Sequence, residues 1–191
     1  MPLPALLTCA NIKGMPSVTS VSEGSGTIRE LALDDSGIYL APGRHKATMT
    51  SVHTLFVERA PYRPDRQLIW DAFGVYRAQV LRLLPSARFW VDGGFVTHKA
   101  WAAPKDVDVC LIAQTDEIAA AGAALVPLLT DATGATRNQP MGGLVDSFIT
   151  VPRPDPDCNT AYWAHQWSRV QDLDGNEDAS RHKGYVEVID S

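Results

Sequence analysis

Hydrophobic and polar positions alternate along the chain with two different periods, which predicts a protein built from both helices and strands. The clearest helical pattern covers residues 66–84, after Pro64 and Asp65 and before Pro85. Its apolar side chains recur at steps of three and four residues: Leu68, Ile69, Phe73, Tyr76, Val80 and Leu83. Because this spacing gathers them on one side of a helix, we expect the helix to pack against a sheet.

Short runs of β-branched and aromatic residues predict the strands of that sheet. The runs cover residues 87–92, 107–112, 144–151 and 185–189. Further helices are predicted after a turn at 41–45, with Thr48 or Thr50 as the cap, at 95–101, from a cap at Thr115 to Leu129, and around 163–170. A loop is predicted at 152–157 and an acidic turn at 172–178. The mixture indicates an α/β (α+β) fold, with a mixed, twisted sheet flanked by helices.

The first 40 residues differ in composition from the rest of the chain. They are rich in Gly, Ser and Thr, and their β-leaning pieces at 17–21, 27–33 and 38–40 are short. The turn sequence Asp-Asp-Ser-Gly at 34–37 separates the last two pieces. We therefore predict an N-terminal β-rich arm over residues 1–40 and a main domain over residues 41–191.

Composition and charge narrow the class of protein. A chain of 191 residues, 45% hydrophobic and 20% charged, is typical of one folded domain rather than a disordered protein. The formal net charge of -5 gives no overall positive field, so broad nonspecific binding to DNA is not expected. Cys9, Cys110 and Cys158 are odd in number and widely spaced, which fits a reducing compartment. With no secretion signal and no run of ~18 apolar residues, we expect a cytoplasmic protein without a membrane span.

Three carboxylates are the candidate chemical groups. Side chains alternate along a strand, so Asp106 and Asp108 are expected to share one face while the valines between and after them face the core. Carboxylate oxygens are the ligands that hard divalent ions prefer. Asp146, in the predicted strand 144–151, can join the pair if the two strands are neighbours. Gly93 and Gly94, placed before the Asp-x-Asp strand, can bring backbone N–H groups close to a phosphate.

These motifs resemble those of the DNA polymerase beta-like nucleotidyltransferase superfamily. The similarity is closer still to small, poorly characterised nucleotidyltransferase-like proteins of bacteria and phages. It covers about residues 40–190, in three strings: Pro-Gly-Arg-His at 42–45, Gly-Gly-Phe-Val-Thr-His-Lys at 93–99 and Lys-Gly-Tyr-Val-Glu-Val at 183–188. The sequence departs from the pattern at Gly94, where the smaller group has Ser, and at Asp92, where the superfamily usually has a hydrophobic residue.

The resemblance implies a metal-dependent nucleotidyltransferase. It implies a nucleoside triphosphate such as ATP as donor, two Mg²⁺ (or Mn²⁺) ions, and release of pyrophosphate as NMP passes to a hydroxyl acceptor. The acceptor can be a protein, an RNA or a small molecule. The implied metal ligands are Asp106, Asp108 and Asp146; the implied triphosphate contacts are Gly93, Gly94, Thr97 and Lys99.

Several of these residues also have ordinary structural interpretations. Thr97 can begin a helix and Lys99 can be a solvated surface charge. Cys110, in an apolar strand, is most simply a small buried hydrophobe, and Glu187 an outward-facing charge. Trp163 and Trp167, four residues apart, can stack on a base, although packing against the sheet is the more frequent role of such a pair.

Two other functions remain open at this stage. One is a catalytically idle nucleotide-sensing or antitoxin-like protein that binds a protein partner. The other is a reaction at a nucleic-acid end, which requires a basic groove. The candidate groove residues are Arg44, His45, Lys46, Arg59, Arg63 and Arg66.

Overall fold

A computed structural model describes residues 31–133, 137–152, 160–171 and 176–189 of the chain. The strands are β1 (Gly43–Thr48), β2 (Arg88–Asp92), β3 (Val107–Ile112), β4 (Val145–Thr150), β5 (Arg169–Gln171), β6 (Glu177–His182) and β7 (Gly184–Ile189). The α-helices are α1 (Met49–His53), α2 (Arg63–Leu83), α3 (Thr115–Ala121), the single turn α4 (Pro140–Gly143) and α5 (Thr160–Trp167). A π-helical turn, Thr54–Glu58, follows α1, and 3₁₀ turns occupy Gly94–Val96 and Gly122–Leu128.

Five strands form one mixed sheet in the order β1-β7-β2-β3-β4. The outer pairs, β1 with β7 and β3 with β4, are parallel, and the two pairs that involve β2 are antiparallel. Strands β5 and β6 pair separately as a two-stranded antiparallel sheet. The predicted fold class, a mixed sheet flanked by helices, is confirmed.

The two faces of the sheet have different chemistry because side chains alternate along each strand. One face carries buried apolar residues, among them Val91, Val109 and Val186, and packs with Phe73 and Val80 of α2 in the main core. The Tyr76 hydroxyl of α2 also shares a hydrogen bond with the Ser147 hydroxyl of β4. The opposite face carries the acidic residues and a second apolar cluster of Trp90, Cys110, Ile112, Trp167 and Tyr185.

Most predicted elements are confirmed. The four strands predicted from short apolar runs correspond to β2, β3, β4 and β7, the long helix to α2, and the late helix to α5. Thr48 caps α1, because its side chain accepts a hydrogen bond from the Ser51 backbone N–H. Cys110 is fully buried, as expected of a small hydrophobe.

Four predictions about elements are wrong. The helix predicted at 95–101 is only the 3₁₀ turn Gly94–Val96, and Thr97 is already extended. The segment 41–45 is not only a turn, since β1 begins at Gly43. Thr115 is the first residue of α3 rather than its cap, and the α-helix ends before Gly122, whose φ is 50°, giving way to a 3₁₀ turn that contains Pro127. The end of the predicted acidic turn, residues 177–178, begins β6.

Only part of the predicted N-terminal arm is described. Within it, Leu33 and Leu40 form an antiparallel bridge around the predicted turn, where the Gly37 N–H donates to the Asp34 carbonyl oxygen at 2.9 Å. Leu40 is fully buried in the main core. The strand predicted at 17–21, most of the one at 27–33 and nearly all of the loop at 152–157 lie outside the described residues. Within the described residues, no helix has the length and apolar character to cross a bilayer.

Candidate active site

Three aspartates lie in a row across neighbouring strands of the sheet. Asp108 of β3 is paired in register with Asp92 of β2 on one side and with Asp146 of β4 on the other. Residues paired across strands project to the same face, so the three carboxylates share the face opposite α2. The condition set by the sequence, that the strand of Asp146 must adjoin the strand of Asp108, is met.

Asp106 lies at the entrance to β3, one residue before the strand begins. Its Oδ2 accepts a hydrogen bond from Gln139 Nε2 at 2.9 Å. Its charge still acts on Asp108, because it is one of the carboxylates that raise the pKa of that residue. Asp106 therefore lies at the margin of the acidic row rather than within it.

The acidity of Asp108 is strongly perturbed. Burial, followed by the charges of Asp92, Asp106 and Asp146, raises the pKa of Asp108 to about 7. A group with that pKa is easily protonated near neutral pH, which relieves the crowding of negative charge. A divalent cation relieves the same crowding while keeping the carboxylates ionised.

The flanking carboxylates are already paired. Asp146 accepts hydrogen bonds from Arg137 Nη2 and, at 2.7 Å, from the Thr130 hydroxyl. Buried Asp92 forms an ion pair with Lys183. In the described part of the chain, no three Asp, Glu, His or Cys side chains are placed to hold a metal ion. The carboxylate oxygens of the row are ligands that magnesium prefers. For Asp146 to bind an ion, its carboxylate would first have to release Arg137.

A sharp turn follows directly after Asp92. Gly93 has a φ of 79° and begins the 3₁₀ turn Gly94–Val96, and Gly94 is exposed. The turn is held from behind by Arg66, a fully buried guanidinium of α2. Arg66 donates to the carbonyl oxygens of Phe95 and Thr97, each at 2.6 Å, and also to those of Phe56 and Pro61. Burial lowers the pKa of Arg66 to about 10. The Gly-Gly turn is thus a fixed, open feature beside the acidic row.

Positively charged side chains surround the same region. Burial, together with the charge of nearby Lys183, lowers the pKa of Lys99. Burial also raises the pKa of Asp92, although the charge of Lys183 and a hydrogen bond from it oppose the rise. The hydrogen bond to Asp146 raises the pKa of Arg137. Three cations next to three carboxylates can bind an anionic ligand and the metal that accompanies it.

These groups line one cavity of about 410 Å³. This volume lies within the range of small-molecule sites, roughly 300–1,000 Å³. The predicted residues that line it are Gly93, Gly94, Thr97, Lys99, Asp108 and Asp146. Asp92, Arg137 and Lys183 line it as well, together with aromatic and amide side chains of β4, α5 and β5. Asp106 is the one predicted site residue outside the lining.

Some predicted roles differ from the observed positions. The Thr97 hydroxyl donates to the Gly94 carbonyl oxygen at 2.8 Å, so it stabilises the turn. Glu187 is not an outward-facing charge; it is buried and lies 3.3 Å from both Arg44 and Arg88. Arg66 cannot belong to a basic groove, because it is fully buried. Packing against the sheet is confirmed for Trp167, which is buried, whereas Trp163 contacts Trp167 and Phe148 but is only half-buried.

Asp92, Lys183 and Arg137 were not predicted as site residues. Two of them carried a signal in the sequence: Asp92 departs from the hydrophobic residue expected there, and Lys183 begins the string at 183–188. Arg137 carried none. Its contact with Asp146 depends on how the segment before α4 returns to β4.

Residues 31–189 match the model of DUF6932, a family of unknown function. The match covers most of the chain, so the protein belongs to this family. No curated protein and no solved structure matches the chain.

Proposed function

We propose that this protein is a metal-dependent nucleotidyltransferase that transfers NMP from a nucleoside triphosphate to a hydroxyl acceptor. The observation that carries the proposal is the in-register placement of Asp108 and Asp146 on one wall of a cavity that Gly93 and Gly94 also line. Transfer of a nucleotidyl group needs such an arrangement, because the phosphates must be positioned and their negative charge must be neutralised.

Each group has a proposed role. Asp106, Asp108 and Asp146 would hold Mg²⁺ or Mn²⁺, which when bound would neutralise charge on the phosphates. The backbone at Gly93 and Gly94 would contact the triphosphate, and Lys99 would lie near its negative oxygens. Thr97 supports this by holding the turn.

The reaction joins the acceptor oxygen to the α-phosphorus. As that bond forms, the bond from the α-phosphorus to the bridging oxygen breaks, and pyrophosphate leaves with the electron pair. The acceptor hydroxyl loses its proton, and we assign Asp146 to help remove it. The acceptor is a protein, an RNA or a small molecule.

The test uses nucleoside triphosphates labelled at the α-phosphate. We would incubate the protein with Mg²⁺ or Mn²⁺ and each of the common triphosphates, and measure pyrophosphate release and transfer of label. Asp108→Asn removes one carboxylate of the row, and Asp116→Asn removes an exposed carboxylate of α3 as the matched control. Loss of release in Asp108→Asn alone is expected. Equal release by both variants and the wild type would reject the proposal.

A second candidate function is a catalytically idle nucleotide sensor with a protein partner. It is favoured by one observation: Asp146 is already engaged by Arg137 and Thr130. Metal-dependent binding of a triphosphate without pyrophosphate release, in the presence of varied acceptors, would support the sensor. Turnover would exclude it.

A further inference from the structure

The acidic row continues into an aromatic surface on the same face of the sheet. Phe148 lies two residues after Asp146 on β4, so both side chains project to one side, about twice 3.3 Å apart along the strand. The Trp163 ring of α5 lies against Phe148, with ring centroids 4.6 Å apart and planes inclined by 38°. Both residues line the cavity that contains Asp108 and Asp146.

These two aromatic rings are only partly used in packing. Trp167, one turn further along α5, is buried against Tyr185 with ring centroids 6.1 Å apart. Trp163 touches Trp167 with ring centroids 5.5 Å apart but remains half-buried, as does Phe148. Trp167 therefore closes the second apolar cluster, while the rings of Trp163 and Phe148 border a polar cavity.

Amide side chains stand beside this aromatic surface. Gln166 of α5 and Gln171 of β5 line the same cavity. An amide offers both donors and an acceptor, which match the mixed hydrogen-bonding edge of a nucleobase. Gln166 is held by Glu177, to which its Nε2 donates at 3.4 Å, and Arg169 forms an ion pair with the same carboxylate.

The groups that line the cavity follow one another in the same order as the parts of a nucleotide. Lys99, Lys183 and the Gly-Gly turn lie beside the carboxylates, and the aromatic surface begins at Phe148, two residues after Asp146 on β4. Arg137 connects the two parts, because it is bonded to Asp146 and its guanidinium lies 5.7 Å from the centroid of the Phe148 ring. A nucleotide places one sugar between its phosphates and its flat, apolar base. Stacking of a base on an aromatic side chain contributes about 1–3 kcal/mol and tolerates any base, because every base has a π-face.

We propose that Trp163 and Phe148 form the base-binding wall of the nucleotide site, with the base stacked on Trp163 and its edge facing Gln166 and Gln171. This inference rests on the proposed function for the position of the phosphates. It assigns the ligand class, a nucleoside with a 5′-phosphate chain, from the aromatic surface itself. The stacking predicts affinity for the base in addition to affinity for the phosphates.

The test compares three ligands by calorimetry: a nucleoside triphosphate, inorganic tripolyphosphate and the nucleoside without phosphates, each with and without Mn²⁺. The variant Trp163→Leu keeps an apolar side chain but removes the π-face, and Trp163→Phe restores one. Trp101→Leu, at a Trp that is 51% exposed and outside the cavity lining, is the matched control. Thermal unfolding of each variant checks that α5 still packs.

We expect Trp163→Leu to weaken triphosphate and nucleoside binding by about 5–150-fold, the fold-change that corresponds to the loss of one stacked base. Tripolyphosphate binding should stay the same, Trp163→Phe should recover most of the affinity, and Trp101→Leu should bind as the wild type does. If Trp163→Leu unfolds, Phe148→Leu replaces it as the variant that removes a ring of the wall, and Trp163→Phe remains the variant that keeps one.

The outcomes separate the two proposals. One outcome is nucleoside binding that depends on Trp163, without metal-dependent triphosphate binding or turnover. This outcome would support the base-binding wall and reject the transferase. Equal loss of triphosphate and tripolyphosphate affinity in Trp163→Leu would overturn the wall. So would unchanged affinity for every ligand, or no binding of nucleoside or nucleotide to the wild type.

Discussion

Gly93 lies so close to Asp108 that the carboxylate occupies the space of a side chain at position 93. A Cβ built there would lie 1.7 Å from Oδ2 of Asp108. The φ of Gly93 is 79°, a value that L-residues rarely adopt. The turn that we assign to the phosphates and the carboxylate that we assign to the metal are therefore in direct contact, and neither can move far without the other.

Gly93→Ala is expected to destabilise the protein strongly. The added Cβ collides with Asp108. The backbone conformation, with φ of 79° and ψ of −160°, alone costs roughly 1–3 kcal/mol for a residue other than glycine. We expect a loss of about 2–4 kcal/mol in the free energy of unfolding, measured in urea. Gly94→Ala is the matched control, because the nearest atoms to its Cβ would be those of Pro104 at an ordinary 3.8 Å. Similar losses in both variants would contradict the close contact.

The stability of the metal-free protein should depend on pH through Asp108. Its pKa is about 7 in the folded chain and near 4 in an unfolded one, so the native state binds the extra proton between these values. The contribution of Asp108 to stability therefore falls as pH rises from about 4 to 7. We expect the fall to be roughly 1–3 kcal/mol, less than the full shift implies, because the site can relax and admit water.

The measurement is urea unfolding across this pH range for the wild type and Asp108→Asn. The difference between the two curves isolates Asp108 from the other titrating groups. As the pH rises, Asp108→Asn should become increasingly more stable than the wild type. This difference in the free energy of unfolding should shrink when Mg²⁺ is added to the wild type. A difference that does not change with pH would show that burial and the neighbouring carboxylates do not raise the pKa of Asp108 in the folded protein.

Hydrophobic periodicity was enough to predict the centre of the fold. The ends of β2, β3, β4 and β7 were predicted to within one residue, because each strand contains a short run of β-branched and aromatic residues. Strand β1 was missed because it reads Gly-Arg-His-Lys-Ala-Thr, with Ala47 as its one fully buried hydrophobic residue. Its pairing with β7 depends on backbone hydrogen bonds, which leave no pattern in the sequence.

The site was predictable to a similar depth. Strand alternation and motif spacing placed Asp108 beside the Gly-Gly turn, and the assumption that β3 and β4 are neighbours placed Asp146. The ion pairs could not be predicted in the same way. Lys183 reaches Asp92 across 91 positions, and Arg137 reaches Asp146 from the connection that precedes α4. Such contacts depend on tertiary packing rather than on local pattern.

Arg66 is expected to be essential for the stability of the Gly-Gly turn. Arg66→Met would leave up to four carbonyl oxygens without this donor, and an unsatisfied buried carbonyl costs about 1–3 kcal/mol. We expect a loss of about 3 kcal/mol or more in the free energy of unfolding. Arg63→Met, at an exposed position on the same helix, is the control and should change stability by less than about 1 kcal/mol. Partial recovery in Arg66→Lys would fit, since an ammonium can serve fewer of the four acceptors. If Arg66→Met and Arg63→Met had the same free energy of unfolding, the carbonyl oxygens would have found other donors.

Arg137 is expected to compete with a divalent ion for Asp146. Its guanidinium is about half-exposed and bonded to the carboxylate, so Arg137→Gln would release Asp146 and remove a nearby positive charge. We expect Mn²⁺ alone to bind about 2–10-fold more tightly to Arg137→Gln than to the wild type, which corresponds to about 0.4–1.4 kcal/mol from one partly exposed charge. Titration of free Mn²⁺ by electron paramagnetic resonance measures this affinity directly.

The control Arg59→Gln removes an exposed charge outside the cavity lining and should leave Mn²⁺ affinity unchanged. Adding Asp146→Asn to Arg137→Gln should cancel the gain, because the gain depends on the released carboxylate. Unchanged or weaker Mn²⁺ binding in Arg137→Gln would mean that Asp146 does not take part in holding the ion, and would favour the idle sensor over the transferase.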